Sequence, residues 1–404
     1  MIGKIAQAAS RLRGGGSAFP GLVVEKIDPH FIRNVLEKLP YGVVVISGTN
    51  GKTTTTKIVS EMLSSQGLKV FTNDTGSNFV RGVISAILDH IDMNGKFNYD
   101  IAVLELDEAH AVKFCEVVPI QHSLFLNVQR DQLDRFGEID HTAELLQKVA
   151  NVTKKSVVLN REDPRIANIK CKKPIYFGLS DNLLGQFPSD DDLLVSTNSK
   201  SVRHHAAVIL TDLFGNEATY KIAGKDYTTK LVLKGIYNAY NAAGALTLCQ
   251  QILPKISAKK WLEGLAKIES AFGRGETIKV GDTEVEILLV KNPSAFQLSL
   301  KSFVDGQHNY MIAINDNFAD GQDMSWLWNV DFTLLTNVNM VSGIRAHDMA
   351  LRLKYDEIKA QHIEPDLETD VQKFISTGKN PKRIFATYTA MLEIRKILSG
   401  RSIL

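Results

Sequence analysis

Gly48-Thr49-Asn50-Gly51-Lys52-Thr53-Thr54 sets an ammonium and hydroxyls beside two glycines. Glycines let backbone N–H groups approach phosphate oxygens closely. Lys52 can reach the β- and γ-phosphates of a nucleotide, and the Thr53 hydroxyl can bind Mg²⁺. A β-branched run, Val43-Val44-Val45-Ile46, precedes the turn, and a helix-like segment follows it. Strand, phosphate loop and helix is the order of an ATP-binding unit, in which the helix N-terminus adds partial positive charge. The match to the general pattern is incomplete, because Ile46 stands where that pattern has its first glycine. An ordinary glycine-rich turn is the competing reading.

Other polar sets follow apolar runs. Glu105-Leu106-Asp107-Glu108 closes the run 101–106, where a second Mg²⁺ ligand belongs beside a phosphate loop. A charged strand end that caps the next helix would read the same way. Asn127–Gly137 is a polar loop of the kind found on the ligand side of a sheet, or simply solvated. Asn238 and Asn241 share one helical face and suit adenine, phosphate or a helix N-cap. Asp316, Asp320 and Asp323 crowd one loop, where they could bind a cation, orient a base or polarise a histidine. An Asx-rich turn is the alternative, and an EF-hand is excluded by the missing glutamate at its twelfth position.

The elements that must hold these residues alternate from about 40 to 170. Strands are expected at 43–47, 68–72, 101–106, 122–126 and 156–159, and helices at 53–66, 80–91 and 140–151. That rhythm argues α/β architecture with a doubly wound, mostly parallel sheet. Residues 14–22 read as a loop and 179–230 as a small β-rich insert, while 236–267 reads as helical with a break at Pro254. A second βα series brings strands at Glu284–Val290, Tyr310–Ile314, Phe332–Thr336 and Ile384–Thr387. The expected organisation is an N-terminal segment 1–40, an ATP-binding domain 41–270 and a C-terminal α/β domain 271–404.

Composition narrows the classes. A chain of 404 residues with net charge +2 has no electrostatic footprint for nucleic acid. No apolar run reaches the length of a membrane span. Residues 1–13 could form a basic amphipathic helix, packed on the first domain or touching a membrane surface. Cys115, Cys171 and Cys249 lie far apart without metal-ligand spacing, which fits a reduced, cytoplasmic compartment.

Together the motifs resemble the MurT family, the Mur-ligase-like subunits of lipid II isoglutaminyl synthase. The anchors run along almost the whole chain: Phe19-Pro20-Gly21, Ile46–Thr54, Glu105–Glu108, Arg130–Glu138, Asn160–Pro164, Tyr176-Phe177-Gly178, Phe272-Gly273-Arg274 and Lys291-Asn292-Pro293. The most specific are Asn315–Trp326, Ser342–Ala346 and Tyr388–Leu392. Mur ligases that add amino acids usually carry His where Gln132 stands, and MurT-like chains carry Gln.

The resemblance implies a Mur-ligase-like central phosphate-loop domain and a MurT-type C-terminal domain. It implies ATP-dependent phosphorylation of the D-glutamate α-carboxylate of the lipid II stem peptide, then attack by ammonia to give D-isoglutamine. Ammonia would come from glutamine through a GatD-like glutaminase in a heterodimer, at the inner face of the plasma membrane. By motif position Lys52, Glu105 and Asp323 are the catalytic candidates, with Asp323 completing the partner's triad and Asp320 and Asp316 as substitutes. Gly48, Thr49, Asn50, Gly51, Lys52, Thr53, Thr54, Asn238, Asn241 and Arg274 would hold ATP, and Thr53 and Glu105 would hold Mg²⁺.

One departure stands out. MurT chains usually carry a four-cysteine zinc ribbon after the Tyr-Phe-Gly segment, whereas 179–230 contains no cysteine, so no structural zinc is expected. Two other functions remain open. One is a stand-alone ligase of the folylpolyglutamate synthase type. The other is a silent scaffold that binds a glutaminase and nucleotide.

Overall fold

A computed structural model describes residues 19–73, 79–92, 94–129, 138–187, 203–269, 274–378 and 380–399. Two sheets organise it. The central domain holds β1 (Gly42–Ser47), β2 (Val70–Phe71), β3 (Ile101–Glu105), β4 (His122–Phe125) and β5 (Ser156–Asn160). It continues with β6 (Pro174–Leu179), β7 (Ala206–Phe214), β8 (Glu217–Ile222) and β9 (Lys225–Lys230). The order is β2-β3-β1-β4-β5-β6-β7-β8-β9, parallel from β2 to β7 and antiparallel over β8 and β9.

β1 is apolar and buried along its whole length, as a parallel strand covered on both faces must be. Alternate residues feed opposite cores: Val44 and Ile46 pack with the helices Lys52–Ser65 and Ile236–Ile252, Val43 and Val45 with the helix Val80–His90. After β1 the chain crosses to β2 and β3 on one side, and β4 then takes the other side. The strand order reverses at β1, and a crevice at such a switch point is where α/β sheets take ligands. The phosphate loop follows β1, and Asn127 follows β4, so both rim that crevice.

The C-terminal domain holds β10 (Arg274–Val280), β11 (Thr283–Leu289), β12 (Asn309–Ala313), β13 (Asn337–Ser342), β14 (Lys359–Glu364) and β15 (Lys382–Ala386), in the order β10-β11-β15-β12-β13-β14. β10 is antiparallel to β11, and the other pairs are parallel. Tyr310 and Ile312 face one core and Met311 and Ala313 the other.

Two expectations need correction. The strand expected at Phe332–Thr336 is a turn, and the strand begins at Asn337. Phe332 and Leu335 are buried there, plugging the core under the helix Ala346–Tyr355, so their hydrophobicity reports packing rather than sheet pairing. Phe19–Leu22, expected in a loop, opens the helix Phe19–Ile27. The segment 179–230, expected to be β-rich, carries β7, β8 and β9 in its described part, where β7 pairs with β6 and extends the main sheet. The expected helix at 1–13 lies outside the described residues.

Candidate active site

The phosphate loop bends through two glycines with positive φ, Gly48 at +132° and Gly51 at +88°. The positive φ favours glycine at Gly51, and a side chain there would come within 2.7 Å of Asn241 Nδ2, so that amide would have to shift. Gly51 caps the helix Lys52–Ser65 and turns its first N–H groups toward the loop.

The loop is clamped by the segment after β4. Asn127 accepts from Asn50 N at 2.8 Å and donates back to Asn50 O at 2.9 Å. Asn50 Nδ2 donates to Gln129 Oε1 at 2.7 Å, and Thr49 Oγ1 accepts from Gln129 N at 2.9 Å. These hydrogen bonds fix the phosphate loop against the segment after β4.

Lys52 is nearly buried. Its ammonium donates to Gly48 O at 2.8 Å and pairs with Asp107 Oδ1 at 3.0 Å. Thr53 Oγ1 donates to Glu105 Oε1 at 3.1 Å. Glu105 is itself fixed, because Asn73 accepts from its N–H at 2.9 Å and donates to its carbonyl at 2.8 Å. Two oxygen ligands at adjacent corners of an octahedron around Mg²⁺ stand about 3 Å apart, so this pair fits the ion. Among the described residues no group of three or more His, Cys, Asp or Glu is placed to hold a metal.

Beside the loop, Asn127, Gln129, Tyr237, Tyr240 and Asn241 line a cavity of about 580 Å³, a size that suits a small-molecule ligand. Its far wall carries Asn160 and Asp163. Asp163 caps the helix Pro164–Ala167 and accepts from Val128 N at 2.7 Å, and burial pushes its carboxyl up to about 6. Asn238 serves the helix end, donating to Lys234 O at 2.7 Å, while lining the crevice with Asn50 and Gly51. Arg274 opens β10, and its side chain lies outside the described residues, as does the motif from Arg130 to Gly137.

The C-terminal domain closes over the crevice from β11. Lys291 Nζ donates to Thr49 O at 3.2 Å, and Asn292 Nδ2 donates to Asn50 Oδ1 at 3.2 Å. Lys291 and Asn292 had no role assigned from sequence. The legible signal was Asn-Pro, an N-cap followed by proline, and Asn292 does cap the helix Pro293–Phe303.

The three aspartates lie after β12, in different states. Asp316 is held by Arg345, with contacts of 2.7 and 2.6 Å. Asp320 is buried and accepts from Thr389 N at 2.7 Å and from Asn317 N at 3.1 Å; burial pushes its carboxyl up. Asp323 stays at the surface, its Oδ1 accepting from Ser325 N at 2.8 Å in a turn. Exposed apolar side chains surround this loop, with Phe318 92% exposed and Ile344 and Tyr388 nearby.

Comparison with known proteins places this geometry. Residues 46–249 match the Mur ligase middle domain and residues 289–391 the MurT ligase C-terminal domain. The MurT subunit of lipid II isoglutaminyl synthase (glutamine-hydrolyzing) from Streptococcus pneumoniae is 31% identical, the match covering 98% of this chain and 94% of that protein. The corresponding subunit of Staphylococcus aureus is 29% identical over 92% and 90% of the two chains. Among solved structures, a pseudomurein peptide ligase type C from Methanothermus fervidus superposes with a TM-score of 0.70 at 18% identity, covering 91% of this chain and 81% of that one. MurF ligase from Thermotoga maritima, solved in complex with ADP, gives 0.67 at 17% identity, covering 92% and 82%.

Proposed function

This chain belongs to the MurT family of Mur-ligase-like subunits, and from that premise we propose that it is the ATP-using half of a glutamine-dependent amidotransferase. Its substrate on this reading is the D-glutamate α-carboxylate of the lipid II stem peptide, amidated through an acyl phosphate. The observation that carries the reading is the Thr53–Glu105 contact of 3.1 Å beside the Lys52 ammonium. It supports a nucleotide site built for phosphoryl transfer rather than for silent binding.

The residues divide the work. The phosphate loop binds the triphosphate through backbone N–H groups and Lys52. Thr53 and Glu105 would hold Mg²⁺, which when bound neutralises charge on the phosphates. Asn241, Tyr237 and Tyr240 offer amide and aromatic surfaces for the adenine. Ammonia is supplied by a partner glutaminase, and the naming of the relatives as subunits supports a second chain.

Asp323 is the carboxylate offered to that partner's histidine, where it would fix the tautomer and stabilise the imidazolium. Asp316 and Asp320 are more fully engaged within the chain, which favours Asp323. The exposed Phe318, Ile344 and Tyr388 give the partner an apolar footing. Among the described residues no helix is long and apolar enough to cross a membrane.

The test supplies lipid II, ATP, Mg²⁺ and ammonium chloride at high pH without the partner. Amidation is expected, and Lys52→Ala should lose it while keeping its fold. Equal amidation by the variant would overturn the phosphate-loop reading.

A further inference from the structure

Asp323 sits at the surface of a loop that is anchored from within on both sides. Ahead of it, the buried Asp320 accepts from Thr389 N at 2.7 Å and ties the loop to the start of the helix Tyr388–Ser399. Behind it, the chain enters a short 3₁₀ helix, Ser325–Asn329, whose first residue donates its N–H to Asp323. That turn is gripped by Arg352, from the helix Ala346–Tyr355. Arg352 Nε donates to Leu327 O at 3.2 Å, and Nη2 donates to Val330 O at 2.6 Å. Its Nη1 pairs with Asp356 Oδ1 at 2.6 Å, and Asp356 Oδ2 accepts from Phe332 N at 3.1 Å. The guanidinium also lies 5.5 Å from the ring centroid of Trp328 and 5.3 Å from that of Phe332. Arg352 is only 7% exposed. A buried ion pair adds little net stability over an apolar core of the same shape, because desolvation offsets the attraction. What the planar fork supplies is geometry: it fixes two carbonyls and a carboxylate at once. An exposed carboxylate on an immobile backbone is what a group needs if it must meet a histidine on another chain.

We propose that Arg352 is a positioning residue for glutamine hydrolysis, holding the Asp323 carboxylate, through the 3₁₀ helix, where the partner's histidine meets it. This role rests on the reading of Asp323 as the carboxylate offered to that partner. Arg352 is buried beneath the loop, so it acts through Asp323 rather than by a contact of its own. Without its guanidinium the carbonyls of Leu327 and Val330 lose their hold, and the slack passes along one turn to Ser325 N and so to Asp323. Arg352 stays charged throughout, and no proton moves through it. The amidating crevice does not depend on this grip. Its contacts from the C-terminal domain, Lys291 and Asn292, follow β11, which lies two strands away from β12 and the aspartate loop.

The experiment uses the complex assembled with its glutaminase and compares wild type, Arg352→Gln, Asp323→Asn and the double variant. Glutamine hydrolysis, amidation of lipid II from ammonium chloride, affinity for the partner and thermal unfolding are measured for each. Arg352→Gln should lower kcat for glutamine hydrolysis by about 10- to 100-fold. Amidation from free ammonia and affinity for the partner should stay within about threefold of wild type. In the Asp323→Asn background the same substitution should cost less than about twofold more, because the group it positions is already gone. Arg352→Lys keeps the charge and can reach one carbonyl but not both, so its hydrolysis should fall between the two, and it carries the test if Arg352→Gln does not fold. Hydrolysis within about twofold of wild type in folded Arg352→Gln would overturn the proposal, and so would losses that multiply in the double variant or extend to ammonia-driven amidation. Unfolding of both Arg352 variants would mark the residue as structural and overturn it too. Normal hydrolysis by Asp323→Asn would instead contradict the reading of Asp323, and the proposal with it.

Discussion

Thr53 Oγ1 and Glu105 Oε1 stand 3.1 Å apart although the residues belong to different elements, one opening a helix and the other ending β3. The parallel pairing of Ile46 with Glu105 brings the end of β3 level with the start of the phosphate loop. Glu105→Gln keeps the shape and removes the charge that a Mg²⁺ ligand needs. The variant should require at least about tenfold more Mg²⁺ for half-maximal rate, with unfolding unchanged. A magnesium titration checks it, and an unaltered curve would remove Glu105 from the metal site.

Gly51→Ala would place a methyl 2.7 Å from Asn241 Nδ2 at a φ of +88°. Left-handed strain at a non-glycine residue, with a packed amide in the way, should cost about 1–3 kcal/mol of stability. Urea unfolding measures that cost. Isothermal titration with an ATP analogue should show weaker binding, because the clash falls on the loop that holds the phosphates.

Asp323→Asn should leave the two-chain complex intact and cut glutamine hydrolysis severely, while amidation from free ammonia persists. Coupled assays on the assembled complex separate these activities. If Asp316→Asn or Asp320→Asn loses hydrolysis instead, the carboxylate is misassigned. If none of the three does, the trans-triad idea fails.

Asp370 is fully buried on the helix Leu367–Ser376, with His362 Nε2 3.6 Å away. Burial pushes its carboxyl up to about 7, with Lys373 opposing and Glu364 adding. Between about pH 4 and pH 7 the folded chain then holds a proton that the unfolded chain releases. Stability contributed by this group is complete below the unfolded value and is lost as pH rises through the folded one, at up to about 1.4 kcal/mol per pH unit. Asp370→Asn should flatten that decline. Urea midpoints at several pH values check it, and an identical slope in both proteins would count against a raised carboxyl.

The sequence made the central sheet legible because β1, β3 and β5 each carry an apolar run bounded by polar turns. The positions of Lys52, Thr53 and Glu105 followed from loop chemistry next to those strands. Phe332–Thr336 misled because a buried plug and a buried strand share one composition. The β-rich character of 179–230 was legible in its short alternating runs, but its pairing onto β6 was not, because register across elements leaves no local pattern. The clamp of Asn127 and Gln129 was visible only as a polar loop, since hydrogen bonding across nearly eighty residues leaves no local period. Lys291 was hidden for the same reason: its partner, Thr49, belongs to the other domain.

The central claim is that a substrate carboxylate takes the γ-phosphoryl group. It is tested most directly by running the ammonia-dependent reaction on lipid II carrying ¹⁸O in the D-glutamate α-carboxylate and analysing the phosphate released. An acyl phosphate passes one substrate oxygen to each phosphate when ammonia displaces it, so labelled phosphate should appear in step with amide. Unlabelled phosphate alongside amidated product would contradict the account.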